Sequence, residues 1–362
     1  SSDLVYHKTY GWLKTNIKFE DENKIRHFAT QIGRNVDKGI SLLKPLLDAH
    51  LETGDRVNAT LSPITTKGNT LTIRKFAKSP WTITTFLKNK TIDLAAAALI
   101  WQAIHYELSV LIVGGTGSGK TSFMNVISNF FPPNQRIISI EDTRELKLPK
   151  TLHWVPMQSR LPNPEGKGEI TMLDCVINTL RMRPDRIIVG EVRKAKELEV
   201  MFEAMHTGHS VYSTFHASNV DEAISRLTNP PINLPKQLLS SLGLIVVQHR
   251  NRRTGTRRTF QVAELDEKGT PNLLMQLDHT SDKVKQVGQP IRTLNTLNLY
   301  TGMSVTQIQA EIEEKIAVLQ WLLDKDINDI NKIGLIMSDY YTEKEHLMRI
   351  IKSNQDYSSI EK

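Results

Sequence analysis

Cysteine is nearly absent, since Cys175 is the single cysteine in 362 residues. A lone cysteine excludes an internal disulfide and a zinc site built from cysteines. The chain also lacks long hydrophobic runs: no stretch approaches the roughly 18 apolar residues that span a bilayer, and the run at 94–101 fits a buried helix. Aromatic residues make up only 6% of the chain, which is few for a surface that stacks nucleic-acid bases.

The chain carries a net charge of +7 at pH 7. This excess favours contact with an acidic surface, such as anionic lipid, nucleic acid or an acidic partner loop. An ordinary solvated surface of a basic protein explains the charge equally well. The length of the chain predicts two domains.

The first part of the chain has the pattern of a small α+β domain. Strand-like segments at 11–19 and 69–76 lie on either side of a helical stretch at 21–34. Asp21 is placed to cap this helix, and apolar residues follow it at helical spacing. These apolar residues are Ile25, Phe28 and Ile32.

From residue 92 the pattern becomes α/β. Short apolar strands alternate with helical stretches, which predicts a largely parallel sheet covered on both faces. Two later strands, 260–265 and 272–277, are expected to be antiparallel and near the edge. The strands predicted before them are 110–113, 136–141, 186–189, 210–214 and 244–248.

The end of the chain is predicted to be helical. Ser304 and Gln307 have the spacing of a capping box, and an apolar stripe from Ile308 to Leu319 follows. The predicted organisation is an α+β domain at 1–76, a linker or hinge at 77–91, an α/β domain at 92–280 and a helical extension at 281–362.

The segment 114–121 reads Gly-Gly-Thr-Gly-Ser-Gly-Lys-Thr, follows a predicted strand and opens a predicted helix. This is the pattern of a P-loop, whose backbone N–H groups surround the phosphates of a nucleotide. Lys120 is expected to bridge the β- and γ-phosphates, and the Thr121 hydroxyl to ligate Mg²⁺. The predicted nucleotide-binding residues are Gly114, Thr116, Gly117, Ser118, Gly119, Lys120, Thr121 and Ser122.

Two acidic residues and a histidine follow predicted strands. Glu141 ends one apolar strand, and Glu191 comes shortly after another. In P-loop proteins one such carboxylate completes the Mg²⁺ shell and another orients the attacking water. His216 lies at the carboxyl end of a strand, where phosphates bind in such sheets, whereas His209 precedes that strand and is expected to brace the sheet.

Taken in order, these motifs resemble the secretion ATPase superfamily, which powers type II and type IV secretion and type IV pili. The resemblance is carried by the P-loop, Ile-Glu-Asp-Thr-Arg-Glu at 140–145, Val-Gly-Glu-Val-Arg at 189–193, and the two histidines. The segments at 10–12 and 56–60 are most similar to archaeal GspE-like or archaellum-type assembly ATPases. The resemblance implies a RecA-like P-loop core behind a PAS-like N-terminal domain.

The resemblance also implies roles for individual residues in Mg²⁺-dependent ATP hydrolysis. Glu141 would orient or deprotonate the attacking water, Glu191 would hold Mg²⁺ through water, and His216 would sense the γ-phosphate. Arg56 and Arg74 match basic positions of the N-terminal domain that reach a nucleotide during domain closure.

At the level of assembly, the resemblance implies a cytoplasmic ring hexamer at the inner face of the cell membrane. Its partners would be a polytopic membrane platform protein and, indirectly, pilin-like subunits. Bacterial extension ATPases of this superfamily often carry a four-cysteine zinc motif, which one cysteine cannot form, so the archaeal branch is favoured.

Two other functions stay open at this point. Five arginines around Thr254-Gly255 suggest a basic hairpin tip that grips the phosphates of DNA, as in a DNA-transfer motor, or else a solvated turn. These five arginines are Arg250, Arg252, Arg253, Arg257 and Arg258. The second open function is that of a nucleotide-gated scaffold with little turnover.

Overall fold

A computed structural model of the chain describes residues 2–7, 10–19, 21–36, 38–51, 53–75, 79–163 and 165–357. The chain forms two compact units. One comprises Ser1–Ser79 with Arg160–Ile170, and the other comprises Pro80–Ser159 with Thr171–Lys362. The first break between them lies in the region predicted as a linker, where Ala77 and Lys78 fall outside the described residues.

The first unit is an α+β structure in which a helix packs on a small antiparallel sheet. The helix begins as predicted, because the Asp21 side chain accepts a hydrogen bond from the N–H of Asn23. Ile25 and Ala29 are buried, whereas Phe28, which was predicted in the buried stripe, is exposed. The described elements are β1 (Ser2–His7), β2 (Gly11–Lys18), α1 (Glu22–Asn35), β3 (Leu46–His50), β4 (Arg56–Thr60) and β5 (Thr70–Arg74).

The described residues of the second unit form a nine-stranded sheet in the order β14-β13-β12-β11-β6-β10-β9-β7-β8. The strands from β11 to β8 in this order run parallel, and the other three are antiparallel. Their bounds are β6 (Val110–Gly114), β7 (Arg136–Glu141), β8 (His153–Gln158), β9 (Arg186–Val189), β10 (Ser210–Phe215), β11 (Leu244–Arg250), β12 (Arg257–Leu265), β13 (Pro271–Asp278) and β14 (Lys283–Gln286).

Helices cover both faces of this sheet. Along β6, Val110 and Ile112 enter one hydrophobic core, while Leu111 and Val113 enter the other. This alternation explains why the strand is apolar throughout. The helices are α2 (Ile83–Lys88), α3 (Leu94–His105), α4 (Lys120–Ile127), α5 (Met172–Thr179), α6 (Ala195–His206), α7 (Val220–Thr228), α8 (Lys236–Leu239), α9 (Ile291–Thr301), α10 (Val305–Asp324), α11 (Ile330–Thr342) and α12 (Lys344–Lys352).

The predicted α/β core with a parallel sheet is confirmed, as are the antiparallel strands β12 and β13. Strand β8 was not predicted, because Pro156 interrupts its sequence; a proline is tolerated there since β8 is the edge strand. Phe76, expected at the end of β5, lies outside the described residues. None of the helices in the described ranges is both long and apolar enough to cross a membrane.

Helix α10 begins with the predicted capping box of Ser304 and Gln307, and it packs on α3. Helix α10 carries a buried ion pair that contacts α3 through Gln102. Lys315 Nζ lies 3.1 Å from Glu311 Oε1 and donates to Gln102 Oε1 at 2.5 Å. Burial lowers the pKa of Lys315 to about 8, although the Glu311 charge opposes the shift.

We expect Glu311→Gln to lower the free energy of unfolding by about 3 kcal/mol, because it leaves a buried ammonium group without its counter-charge. Urea unfolding followed by tryptophan fluorescence measures the change, since Trp101 lies beside Lys315 with 5.6 Å between the ring centroid and Nζ. Glu313→Gln, at an exposed position of the same helix, is the matched control. Equal stability of the two variants would contradict this account of the ion pair.

Candidate nucleotide site

Four neighbouring parallel strands, β6, β10, β9 and β7, end at the same edge of the sheet. The P-loop follows β6, and His216 follows β10 directly. Glu191 comes two residues after β9, and Glu141 is the last residue of β7. The structure therefore brings together the predicted P-loop, both acids and the histidine.

The P-loop turns from β6 into α4 with backbone conformations that require glycine. A Cβ on Gly114 would lie 2.5 Å from the carbonyl oxygen of Gln248 on the neighbouring strand. Gly119 has a φ of +98° and caps α4 without a side-chain hydrogen bond. The N–H groups of the first helical turn, which includes Thr121 and Ser122, thus form the positive end of a helix to which an anion can bind.

Lys120 folds back over the loop that precedes it. Its Nζ donates to the carbonyl oxygens of Gly114 at 3.0 Å and Gly115 at 3.2 Å. Burial lowers the pKa of Lys120, while the charge of Glu191 opposes this shift and that of Arg193 adds to it. Glu191 is therefore close enough to the P-loop lysine to act on it electrostatically.

Glu141 is only 3% exposed, although it is an acidic residue. Its Oε1 accepts hydrogen bonds from the N–H groups of Glu145 at 2.8 Å and Leu146 at 3.0 Å. Its Oε2 is shielded and has no hydrogen-bond partner among the described residues. Burial raises the pKa of Glu141 to about 7 despite these hydrogen bonds, which favour the ionised form. A carboxyl group with this pKa can accept a proton near neutral pH.

Glu191 lies in a different environment. It is half-buried and pairs with Arg193, whose Nε lies 3.0 Å from Glu191 Oε2. Asp142, the neighbour of Glu141, accepts a hydrogen bond from Ser159 Oγ at 2.8 Å and is exposed. The acids of this edge thus divide into one buried carboxyl group and others that face solvent or a cation.

The two predicted histidines have different surroundings. The Nε2 of His216 lies 3.2 Å from the Thr116 hydroxyl, which links β10 to the P-loop. Arg226 donates to the carbonyl oxygen of His216, and its Nη1 lies 3.4 Å from His216 Nδ1. His209 instead contacts the end of α6, with Nδ1 3.2 Å from the Ala204 carbonyl oxygen.

Arg56 and Arg74 lie in the first unit, on neighbouring strands. They are directly opposite each other in the register of β4 and β5, so they share one face of that sheet. Arg56 forms a bidentate pair with Asp48, with Nε–Oδ1 at 3.1 Å and Nη2–Oδ2 at 2.6 Å. The two predicted arginines therefore lie side by side on one sheet.

The structure adds residues that the motif analysis did not place at the site. Arg257 Nε donates to the carbonyl oxygen of Gly117 in the P-loop at 3.0 Å. Arg250 approaches the same glycine from the paired position on β11. The sequence signal for both residues is the arginine cluster around Thr254-Gly255, which predicts a basic hairpin tip or a solvated turn and does not indicate a position beside the P-loop.

Comparison with known proteins identifies the family. Residues 6–302 match the family model described as type II/IV secretion system protein. An uncharacterised protein of Methanocaldococcus jannaschii is 38% identical over 265 residues, covering 72% of this chain and 48% of that protein. A Mycobacterium tuberculosis protein named for conjugal transfer is 33% identical over 270 residues, covering 70% of this chain and 76% of that protein.

Among solved structures, the Yersinia pseudotuberculosis ATPase DotB is similar in fold, with a TM-score of 0.51 at 17% sequence identity. The match covers 91% of this chain and 85% of that structure. The chain spans about half the length of its archaeal relative, at 48%. The matched family model covers most of the sequence, and the chain belongs to the type II/IV secretion system protein family.

Proposed function

We propose that the chain is an ATP hydrolase whose turnover powers type II or type IV secretion, or the assembly of a type IV pilus-like filament, at a membrane platform. The convergence of the P-loop, Glu141, Glu191 and His216 at one sheet edge is the observation that supports this most strongly. Family membership supports the same proposal.

The residues present fit a bound nucleoside triphosphate. Gly114 and Gly119 give the loop a conformation that side chains would obstruct, and Lys120 supplies a partly buried positive charge. Thr121 and Glu191 are the residues that would hold Mg²⁺, an ion that commonly takes its remaining ligands from phosphate and water. When bound, Mg²⁺ would neutralise charge on the phosphates.

In the proposed reaction, a water molecule attacks the γ-phosphorus and the bond to the ADP oxygen breaks. The proton of that water passes to the carboxylate of Glu141, whose pKa burial raises to about 7. Lys120 and the N-terminus of α4 stabilise negative charge on the phosphates. His216, which contacts Thr116 of the loop, is positioned to respond to the γ-phosphate.

Arg56 and Arg74 are proposed to complete the site when the domains close around the linker at 77–91. A guanidinium group that reaches the transferring phosphoryl group neutralises its charge in the transition state. We further propose that the active form is a ring hexamer at the inner face of the membrane. It would act on a polytopic platform protein and, through it, on pilin-like subunits.

A second candidate is a DNA-transfer motor. The observations that favour it are the conjugal-transfer name of one relative and the exposure of Arg252 and Arg253 at the tip of the β11–β12 hairpin. Stimulation of ATP hydrolysis by DNA, with a steep dependence on salt, would distinguish this motor from one that moves protein.

The first test is steady-state ATP hydrolysis in Mg²⁺ as protein concentration is raised. We expect Glu141→Gln to lower turnover by about 10²-fold or more, because it removes the base, while ATP binding persists. Arg74→Ala is expected to lower turnover by about 10³-fold. Specific activity should rise with concentration if the ring is the active form.

Matched controls are Glu145→Gln, a neighbouring acid, and Arg26→Ala, an exposed arginine on α1. At a pH well above the acidic limb of the kcat profile, both should retain turnover close to that of the unmodified protein. Full activity of Glu141→Gln would contradict the assignment of Glu141 as the general base. Nucleotide binding with no measurable turnover in any form would instead favour the nucleotide-gated scaffold.

The pH dependence of kcat gives an independent prediction. Glu141 acts in its ionised form, and its pKa is raised to about 7, so activity should rise with pH through that region. The charge of Glu145 raises this pKa and that of Arg144 lowers it. Glu145→Gln should therefore shift the acidic limb to lower pH, and Arg144→Gln to higher pH.

The ionisation of ATP itself is common to all of these variants and cannot produce shifts of opposite sign. If both variants leave the acidic limb in place, the limb belongs to another group and Glu141 is not the titrating base.

A further inference from the structure

The hairpin formed by β11 and β12 lies against the P-loop. Its first strand pairs with β6 so that Gln248 is level with Gly114, and the chain therefore continues beside the loop. Arg250 and Arg257 form the last strand pair before the hairpin turn. This places two arginines of one subunit at the phosphate-binding loop of the same subunit.

Arg257 Nε donates a hydrogen bond to the Gly117 carbonyl oxygen, so this carbonyl group points out of the loop toward the hairpin. In a trans peptide the carbonyl and the following N–H point in opposite directions. The N–H of Ser118 accordingly points inward and donates to the carbonyl oxygen of Gly115 at 3.2 Å. Lys120 Nζ donates to the same oxygen, so this N–H and the lysine share the inner side.

Arg250 lies close to Gly117 of the P-loop. A Cβ on Gly117 would be 3.1 Å from Arg250 Nη1, so the missing side chain lets the guanidinium group approach the backbone. The Nε of Arg250 is shielded from solvent and has no hydrogen-bond partner among the described residues. A guanidinium group beside the phosphate-binding loop is suited to an anionic ligand.

The other arginines of the cluster differ from Arg250. Arg258 pairs with Asp282, with 2.7 Å between Nη2 and Oδ2, and it also donates to backbone carbonyl oxygens. Arg252 and Arg253 are exposed at the hairpin tip. The arginine cluster thus has three parts. Two arginines are exposed at the hairpin tip, Arg258 forms an ion pair, and Arg250 and Arg257 lie beside the P-loop.

We propose that Arg250 binds the phosphates of the nucleotide at the P-loop from within the same subunit. This inference rests on the proposed function, since it assigns a further ligand-binding residue to the same site. The ligand is a nucleoside di- or triphosphate, and the recognised group is its phosphate chain. Arg257 docks the hairpin on the loop and so holds Arg250 in reach.

The test compares Arg250→Ala with Arg253→Ala, which removes the same charge from the exposed tip of the same hairpin. Two quantities are measured in Mg²⁺: the Kd for fluorescent mant-ADP and the inhibition constant for pyrophosphate, which has phosphates but no base. We expect Arg250→Ala to raise both by about 10-fold or more, because a charged hydrogen bond is lost. Arg253→Ala should change neither by more than about twofold.

Arg250→Lys and Arg250→Gln keep the experiment decisive if the alanine variant unfolds, which thermal melting reveals. Phosphate binding predicts that affinity falls from arginine through lysine to glutamine. Equal affinities in all of these variants and in Arg253→Ala would overturn the proposal. The proposal would also be overturned if Arg250→Ala and Arg253→Ala both weakened binding of a labelled DNA duplex and neither changed the affinity for nucleotide.

Lys120→Ala separates this inference from the proposed function. If the unmodified protein binds mant-ADP and Lys120→Ala does not, the P-loop is a nucleotide site, and an unaffected Arg250→Ala would reject only the role of Arg250. If neither protein binds nucleotide, the proposed function itself fails.

Discussion

The shared register of the parallel strands is the constraint on which the site depends. Val113 of β6 pairs with Phe215 of β10, and Val189 of β9 lies between Ser213 and Ile140. Because these strands end nearly level with one another, the residues that follow them reach the same edge of the sheet. The register is fixed by burial on both faces, since a slip of one residue would exchange the side chains of two hydrophobic cores.

Residues whose role is encoded locally could be predicted from the sequence. The P-loop is contiguous, and Glu141 and Glu191 each follow an apolar run that signals a buried strand. The small α+β unit and the capping of its helix are likewise local patterns. Strand β8 was missed because a proline is tolerated only at an edge, which is a property of the whole sheet. Arg250 and Arg257 could be recognised as basic, but their position beside the P-loop depends on pairing between strands distant in the sequence.

Glu141 and Glu191 have similar sequence contexts, but their carboxyl groups lie in different surroundings in the structure. Glu141 is enclosed, its pKa is raised to about 7 by burial, and one of its oxygens is held by backbone N–H groups. Glu191 is half-buried beside Arg193 and acts on Lys120. A carboxyl group that titrates near neutrality is suited to proton transfer, whereas a carboxylate among cations and solvent is suited to a hydrated metal ion. The proposed division of roles follows from environment rather than from residue type.

Arg56 and Arg74 in the first unit also differ in their surroundings, although they lie opposite each other. Two like charges directly opposite each other in an antiparallel sheet repel, and this arrangement destabilises the pair of strands. The bidentate contact with Asp48 offsets part of that repulsion on the Arg56 side.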